Sequence, residues 1–233
     1  MPLRILITGA SRGFGAALTA AFAERGATVF AGVRGTQPGL APILARHPAL
    51  VVPIELDVGD TSSVKRAAAR IAQQTDALDV VVNNAAIRSA TVSNPIETID
   101  FDDAARTFDV NSIGPLRVAQ AFLPLLRQGS APILVNVSSE AGSIGQCGRD
   151  REYDYCMSKA ALNMLSMLLK NYLKGSVRVL ALHPGWLRTD MGGSHAESDP
   201  NDAARESATL IEREANNIDG APFLDRAGRA MPW

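Results

Sequence analysis

The sequence predicts an α/β protein folded as one domain around a doubly wound, mostly parallel sheet, with helices on both faces. Short runs rich in Val, Ile and Leu alternate with stretches of helical periodicity along most of the chain, the pattern of strands buried on both sides. The first apolar run leads directly into a glycine-rich turn. No repeat, low-complexity tract or linker divides the 233 residues, a length that suits one large α/β domain.

The elements follow in order. Arg4–Thr8 reads as a buried strand, followed by the glycine turn and a helix over Gly15–Arg25. Thr28–Val33 is the second strand and Leu50–Glu55 the third. Thr61 is placed as the cap of a helix running to about Gln74. Leu78–Val82 is the fourth strand, Phe101–Arg127 a long helical region, and Ile133–Val137 the fifth strand. Tyr153–Leu173 is a long helix and Val177–Leu182 the sixth strand. A loop over Asp190–Asn201 is expected to move over the substrate side, and Asp202–Ala215 reads as an amphipathic helix.

Composition limits the function classes. The formal net charge of −1 creates no overall field for nucleic acid or an anionic membrane, so neither is an expected partner. No run of 18 or more apolar residues is present, and the start MPLRILITGA lacks the apolar core of a signal sequence. Two cysteines, Cys147 and Cys156, make no disulfide framework. The expected location is the cytoplasm. His47, His183 and His195 show no ligand spacing, so no metal is assigned.

A doubly wound sheet binds its ligands beyond the carboxyl ends of its strands. The first strand ends in Thr8-Gly9-Ala10-Ser11-Arg12-Gly13-Phe14-Gly15. Glycines there allow backbone to approach a ligand closely, and the helix that follows offers free N–H groups to a pyrophosphate. Three glycines can also make a plain turn, and position after the first strand is what favours a dinucleotide. Strand two ends Val33-Arg34 with no carboxylate for a ribose hydroxyl, and the turn itself carries Arg12. Two arginines can clamp a 2′-phosphate, which points to NADP(H).

The stretch "YDYCMSKAALN" raises a second chemistry. Tyr155 and Lys159 stand at i and i+4 and share one helix face. An ordinary tyrosine titrates near 10, and a neighbouring ammonium would stabilise its phenolate and lower that value. A lone pair of this spacing is commonly an exposed helical pair. Tyr153, the competing tyrosine, has Met157 four residues on.

Thr8–Gly15, Asp57-Val58, Asn83-Asn84-Ala85-Ala86, Asn111, Ser138-Ser139, Tyr155-x-x-x-Lys159 and Pro184-Gly185-x-x-x-Thr189 occur in one order along the chain. With them the sequence resembles the short-chain dehydrogenase/reductase family over nearly its whole length. "SSEAGSIG", "HPGWLRTDMGG" and "FLDRAGRAMPW" are similar to the C-factor and sniffer-like carbonyl reductases within it. The resemblance implies a Rossmann fold with the cofactor cradled by Gly9, Ser11, Arg12, Gly13, Phe14 and Gly15, with Arg34 at the 2′-phosphate. It also implies that Asp57 and Val58 hold the adenine, and that Asn84, Ala85 and Ala86 lie along the adenosine side. The family usually ends that last motif in glycine, so Ala86 is a departure. Pro184, Gly185 and Thr189 would hold the nicotinamide end. Tyr155 would donate a proton to a carbonyl oxygen, Lys159 would tune it and bond the nicotinamide ribose, and Asn111 would hold a water beside Lys159. Strand alternation leaves Ser138 and Ser139 open as the residue polarising the carbonyl; the family pattern favours Ser139.

The expected function is therefore reversible, NADPH-dependent reduction of an aldehyde or ketone to an alcohol. The alternative is an NADP(H)-binding sensor without turnover. A nucleotide-sugar epimerase or dehydratase would need a longer C-terminal substrate region. The stretch Gly145–Glu152 is expected to wall the substrate pocket, with Arg149, Arg151 and Arg188 in solvent and His183 packed at the end of strand six. Both cysteines read as small packing residues. The apolar faces of the two long helices predict a homodimer or homotetramer.

Overall fold

A computed structural model describes residues 2–35, 37 and 39–233. Among the described residues, seven strands form the sheet: β1 (Arg4–Thr8), β2 (Thr28–Val33), β3 (Val51–Glu55), β4 (Val80–Asn83), β5 (Ile133–Val137), β6 (Arg178–His183) and β7 (Phe223–Asp225). Their order is β3-β2-β1-β4-β5-β6-β7, and each neighbouring pair is parallel. The helices are α1 (Gly13–Glu24), α2 (Ala41–Arg46), α3 (Thr61–Ala72), α4 (Phe101–Phe108), α5 (Gly114–Leu126), α6 (Tyr153–Tyr172) and α7 (Pro200–Glu214). The doubly wound α/β fold expected from the sequence is the one observed.

The strands send alternate side chains to opposite faces. Ile5 and Ile7 join Leu18 and Phe22 of α1 and Ala204, Ala208 and Ile211 of α7 in one buried cluster. Leu6, between them in sequence, joins Ile71 of α3 and Phe122 of α5 on the other face. This double burial is why the strands carry continuous apolar runs and no alternation.

Several local readings need correction. β7 and α2 were not foreseen: three and six residues respectively are too few to show a period. The cap of α3 is Asp60, not Thr61; its carboxylate accepts from the Ser62 and Ser63 N–H groups. Strands three, four and six begin one or two residues later than read. The region Phe101–Arg127 is not one helix. A π-helical turn over Asp109–Ile113 separates α4 from α5, with the Gly114 N–H bonded to the Asp109 carbonyl. Pro115 explains the break, because it lacks the N–H that would bond the Asn111 carbonyl in a regular helix.

Candidate active site

The chain order reverses between β1 and β4, and the cleft beyond their carboxyl ends has a volume of about 1000 Å³. One end is the glycine turn. Gly9 has φ +66°, and a Cβ there would lie 2.8 Å from the Ala85 Cα. A Cβ at Gly15 would lie 2.3 Å from the Gly9 carbonyl and 2.4 Å from Asn84 Nδ2. Asn84 donates from that amide to the Thr8 and Gly9 carbonyls, at 2.8 and 3.1 Å. Its side chain thus braces the turn, a role the sequence did not suggest. Each residue predicted to hold the cofactor borders this cleft.

The two arginines sit at this end with acidic partners. Arg34 Nη1 is 3.5 Å from Asp57 Oδ2, and Arg12 Nη1 donates to Asp190 Oδ2 at 2.7 Å. Both pairs are largely exposed and hold each other weakly. A phosphate entering here would compete with carboxylates that have little hold on either guanidinium.

At the other end, β5 delivers Ser139 and α6 delivers Tyr155 and Lys159 to the same cleft wall. Ser138 donates to Asn163 Oδ1 at 2.6 Å and is committed there. Ser139 is free of that bond and lines the cleft with Tyr155. Lys159 is buried, donates from Nζ to the Val137 carbonyl at 2.9 Å, and lies 5.7 Å from the Tyr155 ring centroid. Burial lowers the Lys159 pKa to about 8. The Tyr155 phenol is pushed up, by burial first, against the lowering influence of Ser139 and Arg88. This is opposite to the direction expected from the Tyr-Lys spacing, and burial is the largest cause for each group.

Asn111 lies at the π turn, and its side chain is fully bonded. Its Oδ1 accepts from the Ile87 N–H at 2.8 Å, and its Nδ2 donates to the Ile87 carbonyl and Ser158 Oγ at 2.9 and 3.1 Å. The side-chain amide is committed to protein partners, while Pro115 leaves the backbone carbonyl of Asn111 without the N–H partner of a regular helix. The side chain pins the segment after β4 to α6.

Arg88 and Glu140 border the cleft without having been foreseen, and the charges of the wall loop are paired. Ser139 Oγ donates to Glu140 Oε2 at 2.5 Å and accepts from the Ala141 N–H at 3.1 Å. Arg149 bonds the carboxylates of both Glu140 and Glu152, and Arg88 pairs with Glu152. Arg149 is therefore a wall residue and not a free solvent charge. Arg151 donates to the Ser93 carbonyl, and Arg188 donates to the Ala196 and Glu197 carbonyls. His183 borders the cleft and accepts the Glu140 N–H at Nδ1, 3.4 Å away. Glu152 takes φ +63°, a left-handed conformation that a side chain disfavours. "SSE" shows the acid beside the serine in sequence, but nothing in the sequence gives the partners of loop charges. The segment after Thr189 is tied back by Trp186 Nε1 donating to the Gly192 carbonyl and by a bridge between Leu187 and Ser198.

The family described as short chain dehydrogenase matches residues 4–200. The chain belongs to that family. Among its relatives, the chain is 40% identical to the C-signal protein of Myxococcus xanthus over 161 residues, 68% of this chain and 95% of that protein. An NADPH-bound carbonyl reductase from chicken fatty liver superposes with a TM-score of 0.90 at 30% identity, covering 100% of both chains. The carbonyl reductase Sniffer of D. melanogaster superposes with a TM-score of 0.89 at 28% identity, again over 100% of both chains.

Proposed function

We propose that this dehydrogenase reduces a small aldehyde or ketone with NADPH, reversibly, with Tyr155 as proton donor. The observation that carries the reading is one cleft that joins Arg12 and Arg34 at one end to Ser139, Tyr155 and Lys159 at the other. The residues fit NADP(H): the turn excludes side chains at Gly9 and Gly15, and two cations stand where a 2′-phosphate would need them. Asp57, Val58, Asn84, Ala85 and Ala86 would hold the adenosine half; Pro184, Gly185 and Thr189 the nicotinamide half. When bound, the cofactor supplies a hydride to the carbonyl carbon. The chain then has to supply a proton to the carbonyl oxygen. Tyr155, held as a phenol by its burial, would be the donor, and Lys159 on the same helix face would restore its proton. NADPH-bound and Sniffer carbonyl reductases with this fold support the same reading.

We also propose a homo-oligomer. The large apolar side chains Phe101, Ile113, Leu116, Met164 and Leu168 are exposed on α4, the following turn, α5 and α6.

The test is a fluorescence titration with NADPH and NADH, followed by a panel of carbonyl compounds. NADPH should bind more tightly than NADH, and Arg34→Ala should cost about tenfold or more in NADPH affinity. Tyr155→Phe should reduce turnover by about a hundredfold or more. Tight NADPH binding with no turnover of any carbonyl would favour a cofactor sensor, and preference for NADH would remove the arginine argument.

A further inference from the structure

The stretch FLDRAGRAMPW, Phe223 to Trp233, has no part in the chemistry above. β7 is an edge strand of the sheet, and the chain folds back along it. Gly228 takes φ +85° in the turn, a conformation that suits a residue without a Cβ. Asp225 clamps the turn by accepting from the Arg229 N–H at 2.9 Å and from its guanidinium Nε at 2.7 Å. Beyond it, Leu224 and Ala230 form an antiparallel bridge, and the Met231 N–H donates to the Phe223 carbonyl at 2.9 Å. Pro232 has no N–H with which to continue this pairing. Trp233 then stacks on the buried Phe223, with ring centroids 5.2 Å apart and planes 20° from parallel. Such a pair holds together by more than the area it covers.

The stack holds the Trp233 backbone against the wall loop, Gly145–Glu152. The Gly145 N–H donates to the Trp233 carbonyl at 2.8 Å. A Cβ at Gly145 would lie 3.1 Å from that oxygen, so the contact is tight for any larger residue. Among the described residues, the limb 144–148 makes no other hydrogen bond to a distant part of the chain. The limb that follows is held differently. Arg149 bonds Glu140 and Glu152, Arg151 donates to the Ser93 carbonyl, and the Glu152 N–H donates to the Val92 carbonyl. Arg149 and Glu152 border the cleft beside Tyr155. We infer that Trp233 is a positioning residue for the substrate side of the cleft: its stack on Phe223 anchors the first limb of the wall loop, and with it the placing of Arg149 and Glu152. The effect on turnover rests on the proposed reductase reading. The cofactor end is built from other elements, the glycine turn and the segments after β2, β3 and β4. The strap should therefore act on the carbonyl substrate and leave NADPH binding alone.

Trp233→Ala removes the stack. Amide hydrogen exchange, read by mass spectrometry, should become about tenfold faster in the peptides spanning 144–152. The KM for a carbonyl substrate should rise about three- to tenfold, while kcat and NADPH affinity stay within about twofold. Trp233→Phe keeps an aromatic stack and should match the wild type in both readouts. Gly145→Ala crowds the same carbonyl from the loop side and should also speed the exchange. Because both changes break one contact, the double variant should be no worse than Trp233→Ala alone. Unchanged exchange in Trp233→Ala and Gly145→Ala would overturn the proposal, as would faster exchange with an unchanged KM. A loss of NADPH affinity equal to the rise in KM would overturn it too, since that marks a general loosening of the fold. If the wild type reduces no carbonyl, the reductase reading fails, while the exchange still decides whether Trp233 holds the wall.

Discussion

Lys159 brings an ammonium into a buried site where it bonds a neutral carbonyl, that of Val137. Its pKa falls from 10.5 to about 8. The folded state therefore binds fewer protons than the unfolded chain between these two values, so stability should rise with pH across that window. Below about pH 8 the whole penalty is present. Lys159→Met should remove it, stabilising the fold at pH 7 by up to roughly 3 kcal/mol less the lost bond to Val137. Turnover should be lost, and the rise in stability above pH 8 should flatten. Thermal denaturation across that range is the check, and a variant less stable at pH 7 would contradict the account. Tyr155 and Lys159 could be read from the sequence because a helix converts their spacing into a shared face. The direction of their pKa values could not, because it depends on burial by residues far away in the chain.

Helix and strand ends carry the local decisions. Asp60→Ala should cost α3 about 1 kcal/mol, seen as a lower denaturation midpoint, while Thr61→Ala should cost less. A buried arginine, Arg178, ties β6 to α7 through Glu214 at 3.1 Å and bonds the Val179 and Ala221 carbonyls. Arg178→Ala removes the buried partner of Glu214, leaving it the more exposed Arg213 at 3.5 Å, and should cost about 3 kcal/mol in urea unfolding. Sequence periodicity located the long strands and helices because each buries a whole face. It did not separate α4 from α5, although Pro115 marks the site: apolar residues continue through the π turn, and periodicity does not register a missing N–H. The link from Arg178 to Glu214 was equally hidden, since it joins two elements 36 residues apart.

For the whole molecule, the exposed apolar side chains on α4, α5 and α6 set the assembly test. Sedimentation should give a multiple of the single-chain mass for the wild type. Leu168→Arg should shift it toward the monomer without lowering the unfolding temperature, since Leu168 is largely exposed within one chain. A monomeric wild type would overturn the oligomer.

Sheet order also bears on how the chain is made. β1 pairs with β2 and β2 with β3, so the first half of the sheet grows outward in the order of synthesis. β4 then joins the vacant side of β1, and β5, β6 and β7 follow outward in turn. Every strand after the first thus pairs with a strand earlier in the chain, and none has to be inserted between two partners. Growth changes side once, at β4. The cleft opens at that seam, so its floor is encoded within little more than the first third of the chain, while the wall carrying Tyr155 is encoded only after β5.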